Sequence, residues 1–319
     1  MISNDTAVFI DKVSKSFLTG KTSVPALDSV SLSVNRGELF GIIGPDGAGK
    51  TTLFRILTTL MLADSGVAQV DGLDTRNQLK EIRKRVGYMP GKFSLYQDLT
   101  VEENLSFFAT LFNTTIEENY DLVKDIYRQI EKFKKRRAGA LSGGMKQKLA
   151  LSCALIHRPS VLFLDEPTTG VDSVSRTEFW ELLRNLQKEK ITIVVSTPYM
   201  DEAGLCDRVA LIQKGKILAV DTPDKLTALF NRPLFAVRSS RMYELLQDIS
   251  RLNLAVSCYP FGQYHHVVWQ VGITGDDAIQ KLKNLGHTDV ESIRIAPNIE
   301  DCFMDLMTRD IALANHATK

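Results

Sequence analysis

Gly44-Pro45-Asp46-Gly47-Ala48-Gly49-Lys50-Thr51 follows a short apolar run and leads into a helical pattern, and it matches the spacing G-x-x-x-x-G-K-[ST] in full. Such a segment suits the binding of a polyphosphate. Its glycines let the backbone wrap closely around phosphate oxygens, successive N–H groups point inward as an anion nest, and the helix that follows adds the positive end of its dipole. Lys50 is spaced to reach the β- and γ-phosphates of a nucleotide, the Thr51 hydroxyl to ligate Mg²⁺, and Thr52 completes the set.

Two further clusters have chemistry of the same kind. The apolar run Val161-Leu162-Phe163-Leu164 ends in Asp165-Glu166. Behind a phosphate loop, Asp165 suits the Mg²⁺ shell and Glu166 suits the polarising of an attacking water, which makes it the candidate catalytic residue. Leu141-Ser142-Gly143-Gly144 opens another helix, with Ser142 as a good N-cap and two glycines that allow close backbone approach. This second phosphate-seeking helix start is surplus to the chain's own loop. Its economical use is to contact, through Ser142, Gly143 and Gly144, the nucleotide held by another subunit.

The elements that must position these groups alternate. Residues 7–10 and 30–34 are β-branched and strand-like, and Leu39–Ile43 is a strand that runs into the glycine loop. Residues 50–60 are helical, residues 66–70 form a strand, and residues 99–135 are mostly helical. Strands at 161–164 and 191–195 then alternate with helices at 173–189 and 200–206, which predicts a parallel sheet covered by helices. Residues 209–212 and 216–220 read as a hairpin. After Asn231-Arg232-Pro233 the order becomes βαββαβ with a final helix, the pattern of a small ferredoxin-like domain.

Composition narrows the class. The chain has 319 residues, 44% hydrophobic and 24% charged, a globular balance that allows two domains. A formal net charge of +1 gives no field to draw the chain to nucleic acid, and none is expected as a partner. No apolar run approaches the roughly 18 residues of a membrane span, and residues 1–5 do not read as a signal peptide, so a cytoplasmic location is expected. Cys153, Cys206, Cys258 and Cys302 have no metal-like spacing and read as buried thiols. The run Lys132-Phe133-Lys134-Lys135-Arg136-Arg137 reads as a solvated helix end, and His265-His266 is discounted as a metal pair because neighbours on a strand face opposite ways.

Taken together and in this order, the three clusters resemble the ABC transporter ATPase family over about residues 6–229, above all its bacterial drug- and antibiotic-exporter ATPases. The resemblance implies an α/β fold: a P-loop NTPase (RecA-like) core with an antiparallel β subdomain and a helical subdomain at about 88–158. It implies an ABC ATP-binding domain at 1–229, followed by the small C-terminal α+β accessory domain at 230–319. It implies ATP and Mg²⁺ as ligands and a separate membrane permease as partner, which would hold the chain at the inner face of the cell membrane. Phe17 stands where the family stacks an aromatic ring on adenine. Gly170-Val171-Asp172 resembles the loop that bridges two subunits, and Gly87-Tyr88-Met89-Pro90 leads into the loop that touches the permease. Ile299-Glu300-Asp301-Cys302-Phe303 resembles, loosely, the Leu-Glu-Asp-x-Phe-like opening of the last helix in such exporters.

Two positions leave the family pattern. Gly91 stands where the family places a glutamine directed at Mg²⁺ and water, and Pro198 stands where it places a histidine directed at the γ-phosphate. Neither side chain can coordinate a metal or donate a hydrogen bond. ATP binding is therefore expected to survive while hydrolysis at the chain's own site is weakened. The resemblance implies a dimer with a second ATPase subunit; the two losses favour a heterodimer over a homodimer. A soluble relative in DNA repair or translation fits less well, because the chain has one cassette and no long heptad repeat. A nucleotide-gated regulatory module differs from the first reading only in rate and partner.

Overall fold

In the computed structural model, residues 5–317 are described, the last nine of them by backbone alone. The chain forms two compact units that divide between Pro223 and Asp224.

The first unit is built on a six-stranded sheet. Leu39–Ile43 lies between Thr192–Thr197 and Arg208–Gln213, with Val161–Asp165 and then Val86–Met89 beyond the former and Lys216–Asp221 at the opposite edge. All neighbours are parallel except the edge hairpin 208–221. Leu39–Ile43, Val161–Asp165 and Thr192–Thr197 are buried at every position. That is why residues 39–43, 161–164 and 193–195 read as unbroken apolar runs rather than alternating ones: helices cover both faces of a parallel sheet. The helix Lys50–Leu57 packs Phe54 edge-on against Phe163, ring centres 5.5 Å apart, and this fixes the phosphate loop over the sheet.

A four-stranded antiparallel sheet lies in the same unit, dominated by the hairpin of Thr6–Thr19 and Thr22–Asn35. These strands are far longer than the short stretches legible in sequence, because their ends around the turn are exposed and carry no buried, alternating pattern. The helical subdomain contains Val101–Leu111, Tyr120–Glu131 and Gly143–Leu155. Thr100 and Glu103 close a reciprocal capping box on the first of these helices. Asn104, fully buried, donates to the carbonyls of Tyr96, Leu99 and Thr100 and accepts from the Tyr96 N–H, so one amide fixes the whole 96–100 loop.

The helix Leu79–Arg85 and the strand Val86–Met89 were not legible in the sequence. The helix buries one side chain, Ile82, and so carries almost no periodic signal; the strand is four residues long and contains a glycine. Residues 200–206, expected as a helix, form a 3₁₀ segment over Met200–Leu205.

In the second unit, Ala255–Phe261, Tyr264–Trp269, Leu234–Arg238 and Glu291–Ile295 lie side by side in that order, every neighbouring pair antiparallel. With helices at Met242–Arg251 and Gly275–Asn284, this is the split βαβ arrangement of ferredoxin-like domains. The helix Pro223–Ala228 packs here, since Thr227 O accepts from Cys302 Sγ at 3.7 Å, so the division falls six residues before the 229/230 boundary expected from sequence. The final helix, Ile299–Ala317, is anchored by Ile299, Cys302 and Phe303, all buried. Asp301, wholly buried, accepts from Tyr259 OH, from His266 Nδ1 at 2.6 Å and from the Asn298 N–H at 2.8 Å. The Asp of the sequence motif is thus the polar pin of that helix. His265 turns the other way and donates to Met242 O at 2.8 Å. All four cysteines are free thiols, three of them buried, and burial pushes the half-buried Cys258 up to about 12.

Candidate active site

The strand Leu39–Ile43 delivers the chain to Gly44, and the helix Lys50–Leu57 takes it away, with Gly49 as N-cap at φ +108°. A Cβ at Gly49 would lie 2.4 Å from Ala26 O, and one at Gly44 would lie 2.1 Å from Ile212 O. The loop is therefore wedged between two other strands, and only glycine fits at those points. Lys50 is 3% exposed; its Nζ donates to Gly44 O at 2.8 Å and Pro45 O at 3.1 Å and lies 3.0 Å from Glu166 Oε1. Ala26, Gly47, Ala48, Gly49, Lys50, Thr51, Thr52 and Glu166 line an open cavity of about 140 Å³. A glycine cradle, a helix N-terminus and a buried ammonium at one small cavity fit a polyphosphate chain.

Gly49→Ala is expected to weaken ATP binding by roughly 5- to 150-fold, since about 1–3 kcal/mol of backbone strain is added where the nest must form. Titration with a fluorescent ATP analogue checks this. Gly204→Ala is the control, because that glycine has open space around it and ordinary φ.

Asp165 closes its strand at 2% exposure and accepts from Ser196 Oγ at 2.6 Å. The same serine receives the Glu166 N–H, on its carbonyl at 3.0 Å and its hydroxyl at 3.1 Å. Glu166 has φ +51°, a left-handed conformation unusual for a residue with a side chain. Thr51 and Asp165 supply the hydroxyl and carboxylate oxygens that a hard cation such as Mg²⁺ prefers. Tyr88, on the neighbouring strand, is pushed up to about 12, by burial first and by the charge of Asp165 second, so its phenol stays neutral.

Position 91 borders the acid pair: a Cβ there would lie 3.0 Å from Asp165 O and 3.8 Å from Glu166 Cβ. Position 198 follows Thr197, whose carbonyl accepts from the Gly44 N–H at 3.3 Å, so it stands beside the base of the phosphate loop. Positions 91 and 198 therefore both sit at the site.

The signature residues lie elsewhere. Ser142 is exposed, caps the helix Gly143–Leu155 through the Met145 N–H, and stands with Gly143 and Gly144 outside the walls of the phosphate cavity. Gly143 faces Gly170 O, so the helix start and the 170–172 loop form one exposed neighbourhood. Phe17 is 39% exposed on the hairpin, paired with Val24, and also outside the cavity walls. Ser196, Ala26, Thr168 and Glu202 were not singled out in the sequence. Only Ser196 had a signal, as a polar residue near the end of a buried strand beside the acid-bearing one.

The parallel sheet, the glycine cradle with its buried lysine, and the carboxylate pair at the adjoining strand define a P-loop ATPase. A sequence profile of the ABC transporter family matches residues 27–169. The chain is 42% identical over 205 residues to the probable multidrug ABC transporter ATP-binding protein YbhF of Escherichia coli, a match over 64% of this chain and 36% of YbhF. It is 37% identical over 229 residues to the doxorubicin resistance ATP-binding protein DrrA of Mycobacterium tuberculosis, over 71% of this chain and 69% of DrrA. Among solved structures, the ATP-binding cassette MJ0796, as a dimer in a post-hydrolysis state bound to ADP and Pi, superposes with a TM-score of 0.62 at 26% identity, covering 67% of this chain and 98% of that one. The chain belongs to the ABC transporter family, and its first unit is an ATP-binding cassette.

Proposed function

We propose that this chain is the ATP-binding subunit of an ABC exporter: as half of a dimer, it couples ATP binding and hydrolysis to a separate membrane permease. The observation that carries this is the division of the site. Lys50 and Glu166 meet at the phosphate cavity, whereas Ser142, Gly143 and Gly144 are presented outward on a different helix. One chain thus offers half of each of two sites. The multidrug-transporter and doxorubicin-resistance relatives support the exporter assignment.

In this proposal Lys50 and the loop N–H groups hold the β- and γ-phosphates, and Thr51 and Asp165 would hold Mg²⁺, which would supply positive charge against the phosphates. Phe17 stacks on the base. Lys50 turns from Glu166 to phosphate, and Glu166 is released to orient and polarise the attacking water. Positioning and electrostatics do the work, without a covalent intermediate. Hydrolysis at the chain's own site is slow because Gly91 and Pro198 contribute nothing to it. The better assembly is a heterodimer, in which this chain's Ser142 helix serves a partner ATPase.

The permease side has a candidate seat. A cleft of about 500 Å³ runs between the strand Val86–Met89, the end of the P-loop helix and the helical subdomain. Tyr88, Met89, Leu95, Phe108, Phe112 and His157 help to line it, and Leu60 is 60% exposed on its wall. Among the described residues no helix is long and apolar enough to cross a membrane, so membrane association would run through this face. Leu60→Asp is expected to lose recovery with membrane vesicles from cells that express the chain with its cognate permease, while ATP affinity stays unchanged. Wild-type recovery in that variant would exclude the cleft as the seat.

The function itself is tested by ATP hydrolysis of the purified chain, concentrated enough to dimerise, with Glu166→Gln as the blank. Phosphate release above the blank is expected. A chain that fails to bind ATP would overturn the proposal; one that binds ATP at blank-level turnover would point to a partner ATPase as the competent half.

A further inference from the structure

Glu202 is 1% exposed, and its Oε2 has no hydrogen-bond partner. A buried carboxylate with one oxygen unmatched is costly, and such a group in a folded protein calls for an explanation. Its other oxygen accepts from Thr168 Oγ1 at 2.8 Å, and Thr168 is itself 1% exposed. Thr168 stands two residues after Glu166, inside the turn closed by Thr169 N–H to Glu166 O at 3.2 Å and by Val171 N–H to Thr168 O at 3.3 Å.

The left-handed backbone of Glu166 persists only where its surroundings over-determine it. Ser196 holds it from the N-terminal side. The Thr168–Glu202 bond holds the turn from the C-terminal side. Ser196 and Glu202 bracket Pro198, so this segment holds the 166–168 turn from both sides, Ser196 at Glu166 and Glu202 at Thr168. Arg176, which follows the 170–172 loop, reaches Glu202 Oε1 at 3.7 Å and Asp201 at 2.7 Å and lies over the Tyr199 ring at 4.9 Å. The same carboxylate is therefore tied to the helix that begins beside the exposed signature residues.

We infer that Glu202 is a positioning residue for hydrolysis: through Thr168 it fixes the turn that aims Glu166 at the phosphate cavity. This rests on the role proposed above for Glu166. The test uses the full chain under single-turnover conditions with labelled ATP, so that slow rates remain measurable, together with an ATP-analogue titration. Thr168→Val is expected to slow hydrolysis by roughly tenfold or more, since a small misplacement of a catalytic group has effects of that size, while ATP affinity is unchanged. Thr168→Ser keeps the hydroxyl and should retain the rate. Glu202→Leu should match Thr168→Val, and the double variant should be no slower than the slower single one. Should Glu202→Leu fail to fold, the Thr168 pair decides alone. A Thr168→Val rate equal to wild type, or an equal loss in Thr168→Ser, overturns the inference. A wild-type chain no faster than the Glu166→Gln blank would count against the hydrolysis proposed above. A crystal structure of Thr168→Val then decides the present inference: Glu166 unmoved in backbone and in its approach to Lys50 would overturn it.

Discussion

With Pro198 replaced by histidine, ATP turnover by this chain is expected to rise by roughly 10²- to 10³-fold, the range for restoring one donor aimed at charge that develops in the transition state. The backbone at this point is already set for such a residue. Thr197 O is tied to the Gly44 N–H, and Thr197 Oγ1 accepts from the Tyr199 N–H at 3.1 Å, so residue 198 is held between two fixed neighbours at the base of the phosphate loop. Proline donates nothing from there; an imidazole N–H would. Gly91→Gln should restore less. Its Cβ would meet Asp165 O at 3.0 Å, so the strand end must give by a few tenths of an ångström before the amide can reach the site, and the group that gives belongs to the Asp165–Glu166 pair. Phosphate release by both variants, measured against the Glu166→Gln blank, checks the ranking. A Pro198→His variant no faster than wild type would mean that another group already serves the γ-phosphate, and the argument for a slow site and a heterodimer would fall.

Legibility in the sequence followed how local each constraint is. The phosphate loop announced itself because its glycines answer a need within eight consecutive residues: a nest, a turn and a helix start. Ser142 was legible for the same reason, as a cap on its own helix. The sheet was legible because strands covered on both faces are apolar along their buried length, as residues 39–43 and 161–164 are. The supports of Glu166 were not legible, since parallel pairing sets Asp165 beside Ser196, 31 residues apart, and the turn sets Thr168 against Glu202, 34 apart. No spacing rule connects such pairs. Ala26 escaped for a similar reason: it touches the loop through its carbonyl, which any residue possesses.

Replacing Glu166 by glutamine is expected to lower hydrolysis by roughly 10²- to 10⁴-fold, the usual contribution of a positioned general base, and at the same time to tighten ATP binding. The second half follows from the ion pair. Lys50 Nζ lies 3.0 Å from Glu166 Oε1, and the lysine is buried while the glutamate is 22% exposed. Before Lys50 can serve a phosphate it must leave a carboxylate that competes for the same ammonium. Glutamine keeps the shape and removes the competing charge, so the phosphates face a less occupied lysine and one fewer negative group across the cavity. Binding and turnover should therefore move in opposite directions, which neither misfolding nor a collapsed site would produce. Size-exclusion runs with ATP should show the variant staying dimeric for longer than wild type, since a site that cleaves its nucleotide more slowly reopens more slowly. If affinity fell together with rate, Glu166 would be a structural support of the loop, and the base that activates water would have to be sought elsewhere in the cavity.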